Sequence, residues 1–164
     1  RGVRHVADID VGLKWPNDLV VDGAKLGGIL IDHQGEAAGY CRIVVGVGIN
    51  VTMAPEQARE VDQPWASLAG VLGRSPDRNA LAAACLDAVL DALRGYAAGG
   101  FTAFRVRWQR YDVLQDRPVW LESAAGREAG RAVGIAADGA LLVAMRSGVR
   151  HCYAGDVSVR DTGP

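Results

Sequence analysis

Hydrophobic and polar positions change rhythm twice along the chain. The first fifty residues carry short β-branched runs. Leu13 to Trp15, Leu19 to Val21 and Leu26 to Ile31 each read as a strand, the first stopped by Pro16, which cannot donate to a central ladder. Arg1 to Val11 reads as a polar lead-in with a short strand near its end, and His33 to Gly39 as a polar connection. Cys41 to Val51, CRIVVGVGINV, reads as a buried strand whose Gly46 and Gly48 share one face.

The middle of the chain takes helical spacing. Thr52 to Pro64 is polar and irregular, and Trp65 to Leu72 predicts a short helix. Ser75-Pro76 offers an N-cap and a first-turn proline for a longer helix ending near Tyr96. Leu81, Cys85, Val89, Leu93 and Tyr96 form its apolar stripe, and Ala97-Ala98-Gly99-Gly100 ends it. Phe101, Phe104 and Trp108 mark a third helix, with the aromatics read as core.

After about Tyr111 the period returns to two. Pro118–Glu122, Arg131–Ile135, Leu141–Met145, Val149–Tyr153 and Val157–Arg160 predict five strands. Ala125-Gly126, Asp138-Gly139, Ser147-Gly148 and Gly155-Asp156 sit between them as turns. That rhythm predicts a small barrel. The fold class is therefore α+β: a mixed sheet with helices over residues 1–112, then a small β domain over residues 113–164.

One stretch carries more chemistry than a core needs. Asp22-Gly23 is a type I′ hairpin signal between Val21 and Ala24, so Val20 faces Lys25 and Asp18 shares the face of Val20. Asp18 and Lys25 are then diagonal cross-strand neighbours, roughly 7–8 Å apart before their side chains reach inward. With Gly27 leaving space beside Lys25, the pair describes a site for an anionic ligand. An ordinary solvent-facing ion pair, worth about 0–1 kcal/mol, stands as the other reading.

Composition narrows the classes. The chain has 164 residues, with 49% hydrophobic and 23% charged residues and a net charge of −1, so it can bury one core plus a satellite and lacks the basic excess of a general nucleic-acid binder. Cys41, Cys85 and Cys152 are scattered, without CxxC, and read as small buried hydrophobes in a reducing cytoplasm. His5, His33 and His151 lack metal-ligand spacing. Val51 stands where GxGxxG would need its third glycine, and there is no GxxxxGK[ST] loop.

Three motifs in order, Lys14-Trp15-Pro16-Asn17-Asp18, Lys25-Leu26-Gly27-Gly28-Ile29-Leu30 and Gly46-Val47-Gly48-Ile49-Asn50, make the chain resemble the biotin protein ligases. The resemblance runs more loosely through the helical middle to the β-rich end. It implies the C-terminal portion of a biotinyl/lipoyl ligase-like catalytic domain over 1–112 and an SH3-like domain over 113–164. It further implies ATP, biotin and Mg2+ as ligands, a biotin carboxyl carrier domain as partner, and a cytoplasmic ligase of the biotin--[biotin carboxyl-carrier protein] kind. A homodimer is compatible with it, while neither a membrane nor nucleic acid is implied.

By the same resemblance Lys25 is the central lysine at the biotin carboxyl and the phosphate, and Lys14 a second lysine on the phosphate side. Asp18 suits magnesium or orientation of the attacking lysine. Asn17 and Asn50 supply amides, Asn50 at the nucleotide end. Gly27 and Gly28 admit close backbone approach, and Trp15 is either a wall residue or plain core. The family's commoner spelling is KLAGIL, and glycine for alanine at position 27 is expected to matter little.

The family also carries an upstream GRGRxGR loop, and no such run occurs in these 164 residues, which begin at Arg1 without methionine. The expectation is a part of a longer protein holding part of the site. The alternatives are a non-catalytic fragment or binding module of such a ligase, and a lipoate-type ligase. No winged-helix segment is recognisable in the chain, so a repressor role is not expected of it.

Overall fold

The computed structural model describes residues 1–35, 41–54, 63–124, 126–155 and 158–161. They divide into two compact units, residues 1–11 with 17–89, and residues 12–16 with 90–164.

The first unit opens on a helix where a polar lead-in was expected. Helix α1 (Gly2–Ala7) buries Val3 and Ala7, with Val6 packed beside them. That is i, i+3, i+4 spacing compressed into two turns, too short to register as periodicity. Gly2 lets α1 cross the following helical segment closely, since a Cβ there would stand 2.8 Å from the Cys85 Cα.

Strands β2 (Asp18–Val21), β3 (Ala24–Gly35) and β4 (Cys41–Ile49) form an antiparallel meander. Asp22 and Gly23 turn the first hairpin with φ of 49° and 77°, the positive values a type I′ turn needs. Val21 pairs with Ala24 and Val20 with Lys25, as the turn predicts. β3 continues to Gly35, pairing His33 with Ile43, so the expected connection is shorter at its start, and residues 36–39 lie outside the described residues. β4 is not the buried strand its composition suggested: Ile43 and Val44 are half exposed or more, as are Leu30 and Ile31 on the neighbouring β3.

The short middle helix α2 (Leu68–Leu72) starts three residues later than expected, with the Ser67 hydroxyl accepting from the Gly70 amide at 3.3 Å. Residues 64–66 instead lie alongside β3, where the Lys25 amide donates to Pro64 and the Ala66 amide to Lys25. Helix α3 (Arg78–Gly99) is capped by the Asp77 carboxylate, which accepts from Asn79 and Ala80 amides, not by Ser75. The core of the unit gathers Val3, Ala7, Val21, Leu26, Leu68 and Leu81. Only the first part of the α3 stripe joins it: Leu81 is buried and Cys85 packs beside it, whereas Leu93 and Tyr96 are exposed.

The second unit holds β1 (Gly12–Lys14), helix α4 (Thr102–Gln109) and strands β5 (Pro118–Ser123), β6 (Gly126–Ile135), β7 (Leu141–Met145), β8 (Gly148–Cys152) and β9 (Ser158–Asp161). All five expected strands form, and Ala125 and Asp156 of the expected turns lie outside the described residues. They make an antiparallel sheet in the order β8-β7-β6-β5-β9. The small β domain expected at this end is present, and among the described residues no ladder joins β8 to β9. The ladders from β2 to β4 and from β5 to β9 are antiparallel, and parallel contacts occur at the isolated bridges Leu13 to Asp112 and Lys25 to Trp65. Val119, Leu121, Leu141, Val143, Cys152 and Val159 alternate onto the buried face, closed by Leu114 and Trp15.

Candidate functional site

A one-residue irregularity builds the site. Val20 pairs with Lys25, but Leu19 pairs with Gly27, so Leu26 is the extra residue of a β-bulge. Its side chain turns wholly into the core. Asp18 thereby lands opposite Gly28 instead of Gly27. Lys25 Nζ reaches Asp18 Oδ1 at 2.6 Å, with Lys25 34% and Asp18 17% exposed. The two charges meet on one face, in an open cavity of about 700 Å³ that Asn17, Asp18, Lys25, Gly27, Gly28 and Asn50 help to line.

The two glycines differ. A Cβ at Gly28 would face the Asn17 carbonyl at 3.4 Å, Asp18 Oδ1 at 3.6 Å and Lys25 Cε at 4.0 Å. Gly28, rather than Gly27, is therefore the residue that keeps the floor over the ion pair clear. A Cβ at Gly27 would collide with the Gly48 carbonyl oxygen. Its missing side chain lets β4 close onto β3, and exchange for alanine here is not the minor change the motif spelling suggested. Gly46 and Gly48 have only ordinary contact distances around a built Cβ, so their place is along the cavity wall.

Asn50 is a junction. Its side-chain Nδ2 donates to the carbonyls of Lys25 (3.3 Å) and Ala66 (3.1 Å), its amide donates to Leu26 (2.8 Å), and its carbonyl accepts from Leu68 (2.8 Å). Both side-chain partners are carbonyls, which only the NH2 end of the amide can satisfy. A second cavity of about 580 Å³, unforeseen in the sequence, lies beyond it, bordered by Thr52, Met53, Trp65, Ala66, Ser67 and Gly70 among others. A tryptophan in a polar stretch was the one signal for it.

Lys14 and Trp15 lie in the other unit. Trp15 is buried in its core, where Nε1 donates to the Gly139 carbonyl at 3.2 Å, so the plain core reading describes where it sits. Among the described residues no three His, Cys, Asp or Glu side chains cluster as a metal site. A magnesium ion needs less, since it commonly takes one or two carboxylates with phosphate oxygens, and Asp18 fits that requirement. Away from the cavity, burial raises the pKa of the Asp112 carboxyl, with the Leu114 amide's hydrogen bond opposing. Burial likewise raises the thiols of Cys85 and Cys152, both free, so neither is poised as a thiolate nucleophile.

Residues 2–50 match the biotin/lipoate A/B protein ligase family, and residues 116–160 match the biotin protein ligase C terminal domain. The chain is 34% identical over 158 residues to the bifunctional ligase/repressor BirA of Escherichia coli, covering 96% of this chain and 49% of that protein. It is 28% identical over 154 residues to the Biotin--[acetyl-CoA-carboxylase] ligase of Paracoccus denitrificans, covering 90% and 62%. Among solved structures, the Aquifex aeolicus biotin protein ligase in complex with biotin and ATP superposes with a TM-score of 0.82 at 25% identity, covering 98% of this chain and 66% of that one. The chain spans about half the length of the ligase/repressors it matches.

Proposed function

We propose that the chain belongs to the biotin protein ligase family, with the biotin/lipoate ligase segment in residues 2–50 and the C-terminal domain in residues 116–160, and that it serves ATP-dependent biotin ligation. The biotin carboxylate attacks the α-phosphorus of ATP; a new P–O bond forms, the α–β anhydride bond breaks, and pyrophosphate leaves. A neutral lysine amine of a carboxylase carrier domain then attacks the acyl carbon of biotinyl-5′-AMP. An amide forms, the amine gives up a proton, and AMP departs.

The observation that carries this is the Asp18–Lys25 pair, at 2.6 Å on a cavity floor kept clear by Gly28. Joining two anions requires positive charge where the phosphoryl oxygens gain charge, and a partly exposed ammonium held in place by a carboxylate supplies it. Lys25 is the residue proposed to hold the carboxyl end of biotin against the phosphate, with Lys14 as a second cation. Asp18 orients Lys25 or the incoming amine, and is the carboxylate that would hold Mg2+, whose role when bound is to neutralise phosphate charge. Asn17 offers its amide, Asn50 keeps its Oδ1 as an acceptor for the nucleotide end, and Gly27 and Gly28 admit the ligand; Trp15 contributes through its core. Residues 1–112 act as the catalytic portion and 113–164 as the C-terminal domain, in a cytoplasmic protein.

Biotin-dependent pyrophosphate release from ATP, followed by biotin transfer to a carrier domain, tests this directly. Lys25→Ala is expected to lower the first step about 10²–10³-fold, the scale of losing one preorganised charge-stabilising donor. Excess lipoate should leave the biotin-dependent rate unchanged; inhibition comparable to that by a biotin analogue would favour the lipoate-type reading. No turnover with any carrier would favour a binding module.

A further inference from the structure

We propose that Asn50 is a positioning residue: through one side-chain NH2 it fixes the backbone of Lys25 and the wall of the second cavity in a single register. The inference rests on the ligase reading only for its kinetic consequence.

The geometry leaves little alternative use for that group. The two N–H bonds of Nδ2 point to the Lys25 and Ala66 carbonyls, one on each side of the seam where residues 64–66 lie against β3. Beside it the seam carries two backbone bonds, Lys25 to Pro64 at 2.8 Å and Ala66 to Lys25 at 2.9 Å. The Lys25 carbonyl thus accepts twice, from the Ala66 amide and from Asn50. The backbone of Asn50 adds bonds to Leu26 and Leu68, so its own position is set from both sides. Lys25 projects its ammonium onto Asp18 in one cavity, while Trp65, Ala66 and Ser67 border the other. Any shift of Asn50 therefore moves the ammonium and the second wall together.

Aspartate is the diagnostic replacement because it keeps the shape and removes the donors. Ionised, it is acceptor-only and faces two carbonyl oxygens; protonated, it regains one O–H donor. Facing those oxygens also favours the protonated form, lifting its pKa above the ordinary 3.9 or so. Asn50→Asp should accordingly be defective in alkaline buffer and recover as pH falls. Asn50→Leu has no donor at any pH and should show no recovery.

The test uses the whole chain. Amide hydrogen-exchange protection, normalised for the intrinsic pH effect, is measured without substrates for wild type, Asn50→Asp and Asn50→Leu near pH 8 and near pH 5.5. At the higher pH, protection of the Lys25 and Ala66 amides should fall about tenfold or more in both variants, the scale of an unmade buried hydrogen bond. It should return toward wild type at the lower pH only in Asn50→Asp. In pyrophosphate release, kcat should fall about tenfold or more while KM for biotin stays within about threefold, with the same recovery relative to wild type. Unchanged protection at Lys25 and Ala66 would overturn the proposal, as would equal losses at both pH values in Asn50→Asp. A wild-type chain that releases no pyrophosphate would defeat the ligase reading, while the exchange result would still decide the role of Asn50. Should Asn50→Asp unfold at high pH, recovery of fold and protection on acidification supports the clamp, and failure to recover contradicts it.

Discussion

Gly27 and Gly28 are adjacent, but the missing side chain matters differently at each. Gly27→Ala would drive a methyl into the Gly48 carbonyl and should destabilise the first unit by about 1–3 kcal/mol, read as a lower urea midpoint. Gly28→Ala meets only ordinary contact distances, so it should leave that midpoint nearly unchanged while weakening ligand binding over Asp18 and Lys25. Asp112 offers a test by pH. Burial raises its folded pKa above the ordinary 3.8, so the folded state holds the proton more tightly than the unfolded chain does. Its stabilising effect is therefore present at acid pH and is lost as pH rises from the ordinary value through the raised one. At neutral pH the buried Oδ2 has no hydrogen-bond partner among the described residues. Asp112→Asn should remove that part of the pH slope of stability, seen by comparing urea midpoints of the two proteins across about pH 4–7. How much of this was legible depended on range. The Asp-Gly turn fixed which side Asp18 and Lys25 share, because turn type sets register from the loop outward. The bulge at Leu26 and the Asn50 junction were not legible, since both arise from partners distant in sequence.

At the scale of elements, strands were read well where turns punctuate them, as in the five strands of the second unit. Burial was read less well, because composition reports what a strand can bury and not what covers it. β4 is the example: its valines and isoleucines predicted a core strand, but Ile43, Val44 and Val47 are exposed and Val45 and Ile49 only partly buried. α1 escaped notice because six residues give only one repeat of the helical period. The cap of α3 is a cleaner case. Ser75 before Pro76 has the expected sequence signature, but the Asp77 carboxylate accepts the first-turn amides. Asp77→Ala should then cost about 1 kcal/mol of stability in chemical denaturation, whereas Ser75→Ala should fall within about ±0.5 kcal/mol. Equal effects would mean that the cap is shared.

At the scale of the molecule, the chain presents two units, each with its own core, and the candidate chemistry gathers in the first. No described helix is long and apolar enough to cross a membrane. The fold class, the five strands of the second unit and the three motifs were legible in the sequence, because each depends on local pattern; the second cavity depends on long-range contacts and was not. The central claim is that an ammonium and a carboxylate brought together by the Asp22-Gly23 hairpin handle an acyl phosphate. Biotin-dependent pyrophosphate release, compared between wild type and Lys25→Ala at saturating ATP, addresses it most directly. The expected result is release that requires biotin and drops about 10²–10³-fold on removal of the Lys25 ammonium. Release that is indifferent to biotin, or equal in the two proteins, would contradict the claim.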